Sequence, residues 1–201
     1  GIKFWVKNSN RANAKAIFFS LGNSAQKNPA VLRRVGAAGH SVGSHSMTHT
    51  CLALTAVCAK TNHLVKTPSH LLSNTEAMRD MVNGHKAVFR ALGWVDPFFR
   101  YPYGETSPVL KKFLADNSMA TFNWNIDSND WKAQEPRDLV KHTMDQVNKA
   151  GRGIILMHDI QKRTVVSLPL LLRSLYDQGY SVVLLRPEDS RSKKQLPSGF
   201  N

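Results

Sequence analysis

Short apolar runs rich in β-branched and aromatic residues alternate along this chain with longer amphipathic stretches, and that alternation constrains the fold more than any other feature. The pattern predicts a strand over 14–20, containing Ala16-Ile17-Phe18-Phe19. A helix follows over 29–38, with Pro29 near its first turn and Gly39 as its stop. Further strands are predicted over 40–43, 98–100, 120–124, 153–157 and 181–185. Further helices are predicted over 74–92, 108–117, 136–149 and 168–178, three of them closed by Gly93, Gly151 and Gly179. Residues 52–74, rich in Thr, Ser and His, read as an irregular surface insertion, and 188–201 as a polar, frayed tail. Strand and helix in regular alternation indicate an α/β fold with a parallel sheet and right-handed crossovers. A barrel and an open doubly wound sheet both satisfy the pattern. A chain of 201 residues that is 42% hydrophobic can bury one core, which implies one domain over 1–187 followed by the tail 188–201.

Polar residues cluster just after the strands. His45 and His49 follow the strand at 40–43, Arg100 to Gly104 the next, Asp127 to Trp131 the one after, and His158-Asp159 the strand at 153–157. In parallel α/β folds the carboxyl ends of strands share one face, where active sites are built. The clusters are therefore expected to converge.

Each cluster has a chemical reading and a plain one. His45 and His49 stand at i and i+4, a spacing that suits two imidazoles on one zinc ion. Two idle surface histidines satisfy the spacing equally, but the glycine-flanked strand exit Gly39-His40-Ser41-Val42-Gly43-Ser44 presents the pair on the catalytic face. His158, at the end of Ile154-Ile155-Leu156-Met157, suits a general acid or base, or a satisfied core histidine. Asp130, Asp127 and Asp159 compete as its carboxylate partner. Arg100 suits the orientation of a carboxylate, and Tyr103, in the stiff turn Tyr101-Pro102-Tyr103-Gly104, suits a backbone N–H donor to an oxyanion. An ordinary turn with an exposed arginine is the plain reading there. Trp131 and Leu156 suit the walls of a small apolar pocket, or plain core.

The charge balance is +13, from 27 Lys and Arg against 14 Asp and Glu, which favours an anionic partner. The basic residues come singly or in pairs, without the dense run of a nucleic-acid arm. Cys51 and Cys58 do not form a C-x-x-C redox motif, and one bridge or two buried thiols fit equally. No apolar stretch approaches the ~20 residues that span a bilayer. Residues 1–7 are too short and mixed for a signal peptide, so secretion would need a signal outside this sequence.

Taken in order, Gly39 to His49, Arg100-Tyr101-Pro102-Tyr103-Gly104, Asp127-Ser128-Asn129-Asp130-Trp131 and Ile155-Leu156-Met157-His158-Asp159 resemble the motifs of the carbohydrate esterase family 4 polysaccharide deacetylases, the NodB homology domain. Ala16-Ile17-Phe18-Phe19 is similar to the family's Ala-Thr-Phe-Phe strand, and the likeness runs from about Lys15 to Leu185. The resemblance implies a distorted (β/α) barrel of fewer than eight full units. It implies a divalent metal, usually zinc, on His45 and His49, with His158 as the acid that protonates the leaving amine and Asp130 as the carboxylate tuning it. It implies that the Tyr103 N–H meets the oxyanion, that Trp131 and Leu156 hold the acetyl methyl, and that Arg100 helps to orient the site's carboxylates. The activity implied is N-deacetylation of N-acetylglucosamine in a polysaccharide, peptidoglycan ahead of chitin. A secreted, periplasmic or cell-envelope location and a monomer go with it, without nucleic acid or a transmembrane segment. The segment 52–74, directly after His49, is expected to border the groove and shape substrate choice.

One departure stands out. The family opens with Thr-Phe-Asp-Asp-Gly-Pro, whose aspartates supply the base and the third metal ligand, and this sequence contains no Asp-Asp pair. Gly1 to Arg11, with Phe4-Trp5-Val6-Lys7, reads as the end of the helix that follows that strand, so the first strand is expected to be missing and the ligand Asp to lie upstream. A piece of a longer protein, an inactive carbohydrate-binding relative, and substitution by another carboxylate such as Asp127 are the competing explanations. The first is favoured because a missing first strand would leave unpaired backbone groups at a barrel edge. A basic nucleic-acid binder is supported by net charge alone.

Overall fold

The computed structural model describes residues 14–53, 55–61, 72–188 and 194–200. Residues 1–11, read above as the end of a helix, lie outside them, as do 54 and 62–71 of the segment 52–74. The chain divides into two compact units, one running through Phe18 and taking up Trp124–Leu185, the other comprising Phe19–Asn123 and the residues from Arg186 onward. They are called here the His158 unit and the His45 unit.

In the His45 unit β1 (Ile17–Ser20), which straddles the boundary between the units, β2 (Ser41–Ser44), β3 (Phe98–Phe99) and β4 (Ala120–Thr121) form a sheet in the order β1-β2-β3-β4. From β2 onward the pairing is parallel, with Ser44 opposite Phe99 and Phe99 opposite Thr121. The connections carry α1 (Gly22–Lys27), α2 (Pro29–Ala37), α3 (Ala56–Thr61), α4 (Asn74–Leu92) and α5 (Pro108–Asp116). The bounds of α4 follow from local chemistry. Ser73 Oγ accepts from the Glu76 N–H at 3.3 Å and the Glu76 carboxylate accepts from the Ser73 N–H at 2.9 Å, a capping box. At the other end Gly93 takes φ 83°, a left-handed closure that a Cβ would disfavour. Between them Ala77, Met81, Gly84, His85 and Val88 fall on one buried stripe. Met81, Phe99, Leu110 and Leu114 form one core cluster, and Leu32, Val42, Val88 and Val95 another.

In the His158 unit β5 (Ile126–Asp127) and β6 (Ile155–Leu156) pair in parallel, Ile126 opposite Ile155 and Asp127 opposite Leu156. The helices α6 (Pro136–Ala150) and α7 (Lys162–Asp177) pack with them around Leu139, Val147, Met157, Leu171 and Leu175.

The α/β class with parallel strands is thus the class expected. Several local expectations change. Among the described residues the segment 181–185 is assigned to neither sheet, although Val182 packs against the core of the His158 unit. The continuous apolar run Val182-Val183-Leu184-Leu185 suits a strand, but it specifies no ladder partner. The last helix starts at Lys162 rather than 168 and keeps Pro169 inside it. The carbonyl that the missing proline N–H would have met belongs to Val165, a residue that is 61% exposed. The region after His49 is not simply surface. Cys51 and Cys58 form a disulfide, and Cys51, Leu52, Ala53 and Cys58 are buried. Nor is the tail frayed in its described part. Phe200 is 1% exposed, stacks on Phe113 with ring centroids 5.6 Å apart, and meets His85 edge-on at 5.1 Å.

Two measurements follow from this packing. Phe200→Ala is expected to cost about 3–5 kcal/mol of unfolding free energy, read by urea denaturation. Burial lowers the pKa of His85 from 6.5 to about 4. The unfolded chain takes up a proton over that window while the folded chain refuses it, so stability rises with pH there and falls on acidification. The loss from pH 6.5 down to about 4 amounts to about 3 kcal/mol for this group. Urea titrations at both ends of the window should show it in the native sequence and show it reduced in His85→Gln.

Candidate active site

Within the His45 unit the loop after β2 carries the two histidines. His45 is buried, and its Nδ1–H donates to the Arg100 carbonyl at 2.6 Å. Its Nε2 accepts from Arg100 Nη2 at 3.1 Å. This pair of bonds assigns the proton to Nδ1 and the lone pair to Nε2. Burial, then the Arg100 guanidinium, then His49 hold the His45 pKa well below its ordinary value, so the ring is neutral. The His49 ring stands 4.8 Å from the His45 ring and 4.8 Å from the Tyr103 ring, centroid to centroid. Tyr103 occupies the 3-10 turn Pro102–Gly104 with φ 58°, and the turn is closed by the Gly104 and Glu105 N–H groups on the carbonyls of Tyr101 and Pro102.

These residues fit a metal in part. A neutral imidazole whose Nδ1–H is tied to a backbone carbonyl is the form in which histidine binds metal through Nε2. Arg100 Nη2 and a metal would compete for that same lone pair. Among the described residues no group of three or more His, Cys, Asp or Glu side chains gathers as a metal site would, so the pair supplies two ligands.

Within the His158 unit the turn from β5 to Trp131 builds the second cluster. Asn129 adopts φ 53°, Asp127 Oδ1 accepts from the Asn129 N–H at 2.8 Å, and Ser128 Oγ donates to the Leu156 carbonyl at 2.6 Å. That geometry turns Asp130 fully inward. Its Oδ1 accepts from His158 Nδ1 at 2.7 Å, and its Oδ2 accepts from the His158 N–H and from Thr164 Oγ1, both at 2.5 Å. Burial acts to raise the Asp130 pKa, but the bonds from the His158 ring, Thr164 and the His158 N–H outweigh it and hold the carboxyl below its ordinary value. Asp130 is therefore the carboxylate beside His158. Asp127 caps its own turn, and Asp159 is exposed. With Nδ1 committed to Asp130, Nε2 is the nitrogen left for a substrate. Leu156 is buried in β6, whereas Trp131 is 54% exposed with Lys132 Nζ 4.7 Å from its ring centroid.

The structure thus joins His45, His49, Arg100 and Tyr103 in one unit, and Asp130 with His158 in the other. The sequence reading missed Thr164, because the start of α7 was placed too late. It also missed Asp80 and His85 on α4, whose signal was two polar residues on or beside a buried helical stripe.

A family model described as polysaccharide deacetylase matches residues 6–122. The peptidoglycan-N-acetylglucosamine deacetylase PgdA of Listeria monocytogenes is 33% identical over 175 residues, covering 87% of this chain and 33% of that protein. A peptidoglycan-N-acetylglucosamine deacetylase of Bacillus cereus is 28% identical over 177 residues, covering 84% of this chain and 58% of that protein. Among solved structures, the Bdellovibrio bacteriovorus peptidoglycan deacetylase Bd3279 superposes with a TM-score of 0.78 at 44% identity, over 92% of this chain and 48% of that one. The chain therefore spans between 33% and 58% of the length of these relatives.

Thr164 gives the test of the buried carboxylate. Thr164→Val removes one donor to Asp130 at constant volume and is expected to cost about 1–3 kcal/mol in urea unfolding.

Proposed function

The chain belongs to the polysaccharide deacetylase family, and from that premise we propose that it is a metal-dependent hydrolase removing N-acetyl groups from the N-acetylglucosamine residues of peptidoglycan. The observation that carries the proposal is the His158–Asp130 pair, an imidazole locked at Nδ1 by a buried carboxylate at 2.7 Å. That arrangement suits a proton donor whose other nitrogen faces a leaving amine.

Roles are assigned as follows. His45 and His49 would hold a divalent metal, zinc by the chemistry of two imidazoles. When bound, the metal polarises the acetamide carbonyl and acidifies a water. The Tyr103 N–H would donate to the oxyanion that forms when a water oxygen adds to the carbonyl carbon. His158 delivers its Nε2 proton to the amide nitrogen, so that the C–N bond breaks to amine and acetate. Asp130 keeps the tautomer and stabilises the imidazolium before transfer. Trp131 and Leu156 hold the acetyl methyl, and Arg100 fixes His45 through its carbonyl. The family's third ligand and water-activating base are the aspartates of its first-strand motif, which have no counterpart in this sequence.

Peptidoglycan is preferred over chitin because the relatives named above act on it and because a charge of +13 suits an anionic wall polymer. The Cys51–Cys58 disulfide supports an oxidising location at the cell envelope.

Acetate released from peptidoglycan and from N-acetylglucosamine oligomers, with and without added zinc, tests the proposal. Zinc-dependent release is expected, reduced about 10²- to 10⁴-fold in His158→Ala. Glycan binding without release, from folded and zinc-loaded protein, would replace the proposal with a non-catalytic carbohydrate-binding role.

A further inference from the structure

The backbone between the two histidines is held in a conformation that it would not keep unaided. Ser46 has φ 68° and His49 has φ 65°, the left-handed region that is disfavoured for a residue with a Cβ. Bonds from other elements must therefore hold the loop. The Gly22 and Asn23 N–H groups donate to the carbonyls of Ser46 at 2.9 Å and Met47 at 3.1 Å. Inside the loop, Ser46 Oγ accepts from the His49 N–H at 3.1 Å.

A charged partner comes from α4. Asp80 Oδ2 accepts from the Met47 N–H at 3.0 Å, and its Oδ1 accepts from Thr48 Oγ1 at 3.0 Å. Two consecutive residues lying between the imidazoles are thus tied to one carboxylate, one oxygen each. Hydrogen bonds to an ionised acceptor are roughly twice as strong as neutral ones. The carboxylate is well placed to do this because α4 is itself seated on the loop. A Cβ on Gly84 would stand 2.3 Å from the Ser46 carbonyl carbon, and His85 Nδ1 lies 2.9 Å from Ser44 Oγ.

We infer that Asp80 is the positioning residue of the His45–His49 pair, holding Met47 and Thr48 so that the two imidazoles stay together for one divalent ion. The inference deepens the metal reading proposed above and rests on it. Asp80 touches neither substrate nor metal in this scheme and acts through the loop. An asparagine keeps one acceptor oxygen and loses the charge, and an alanine keeps neither.

Zinc titration of the full chain by calorimetry tests this, beside the nuclear Overhauser contact between the His45 and His49 rings in zinc-free protein. Asp80→Ala is expected to weaken zinc binding by about ten- to a hundredfold and to abolish the ring-to-ring contact, with Asp80→Asn intermediate. Glu76→Ala, which breaks the α4 capping box, should lower stability and leave zinc affinity alone. Unchanged zinc affinity and an unchanged ring contact in Asp80→Ala would overturn the inference. So would a loss of affinity in Glu76→Ala equal to that in Asp80→Ala, because the effect would then be general softening of α4. Failure of the metal reading looks different, since His49→Ala would bind zinc as well as the native sequence does. The ring contact alone then decides, and its persistence in Asp80→Ala overturns the inference.

Discussion

The His45 unit is organised by how closely α4 approaches the loop after β2. Gly84 is the point of contact, where any side chain would collide with the backbone of Ser46. A glycine in a helix interior costs about 1 kcal/mol relative to alanine. That cost is offset by what the approach permits. With the two backbones this near, Asp80 reaches Met47 and Thr48, and His85 reaches Ser44. The tail closes the other side, since Phe200 covers His85 and stacks on Phe113 of α5. Helix, loop and tail are thus coupled through a few contacts that a single methyl group would disturb.

The His158 unit is organised by a buried charge. A carboxylate with no solvent access would lose several kcal/mol of solvation if left alone. Asp130 is never left alone, because two donors come from His158 and one from Thr164. The start of α7 is therefore part of the cluster, and Ser167 on its next turn donates to the Arg163 carbonyl at 2.7 Å. The result is a histidine with one nitrogen committed and one available. Each unit thus prepares one kind of group: a neutral His45 imidazole with a lone pair on Nε2 beside the His49 ring, and an imidazole with a fixed tautomer.

Much of this was legible along the chain where the cause is local. The capping box at Ser73 and Glu76 and the left-handed Gly93 bound α4 at the residues that the pattern predicted. His45, His49 and Arg100 were readable as strand-end polar residues, and their mutual contact required only that parallel strands end on the same side. The choice among Asp127, Asp130 and Asp159 was not readable. It depends on the left-handed turn at Asn129 and on the side chain of Thr164, 34 residues further on. The start of α7 at Lys162 was not readable either, because no capping side chain marks it and Pro169 lies inside the helix.

By itself the sequence determined the α/β class, the helix bounds set by caps and glycines, and the chemical kinds of group at the strand ends. These follow from period, propensity and nearest-neighbour hydrogen bonds, which act within a few residues. Tertiary structure alone decided that Cys51 meets Cys58, that Phe200 enters a core, and that Asp80 holds the histidine loop. Each of those outcomes needs two segments to arrive at a common distance and orientation. Periodicity says which face of an element is buried, and it carries no information about what that face is buried against.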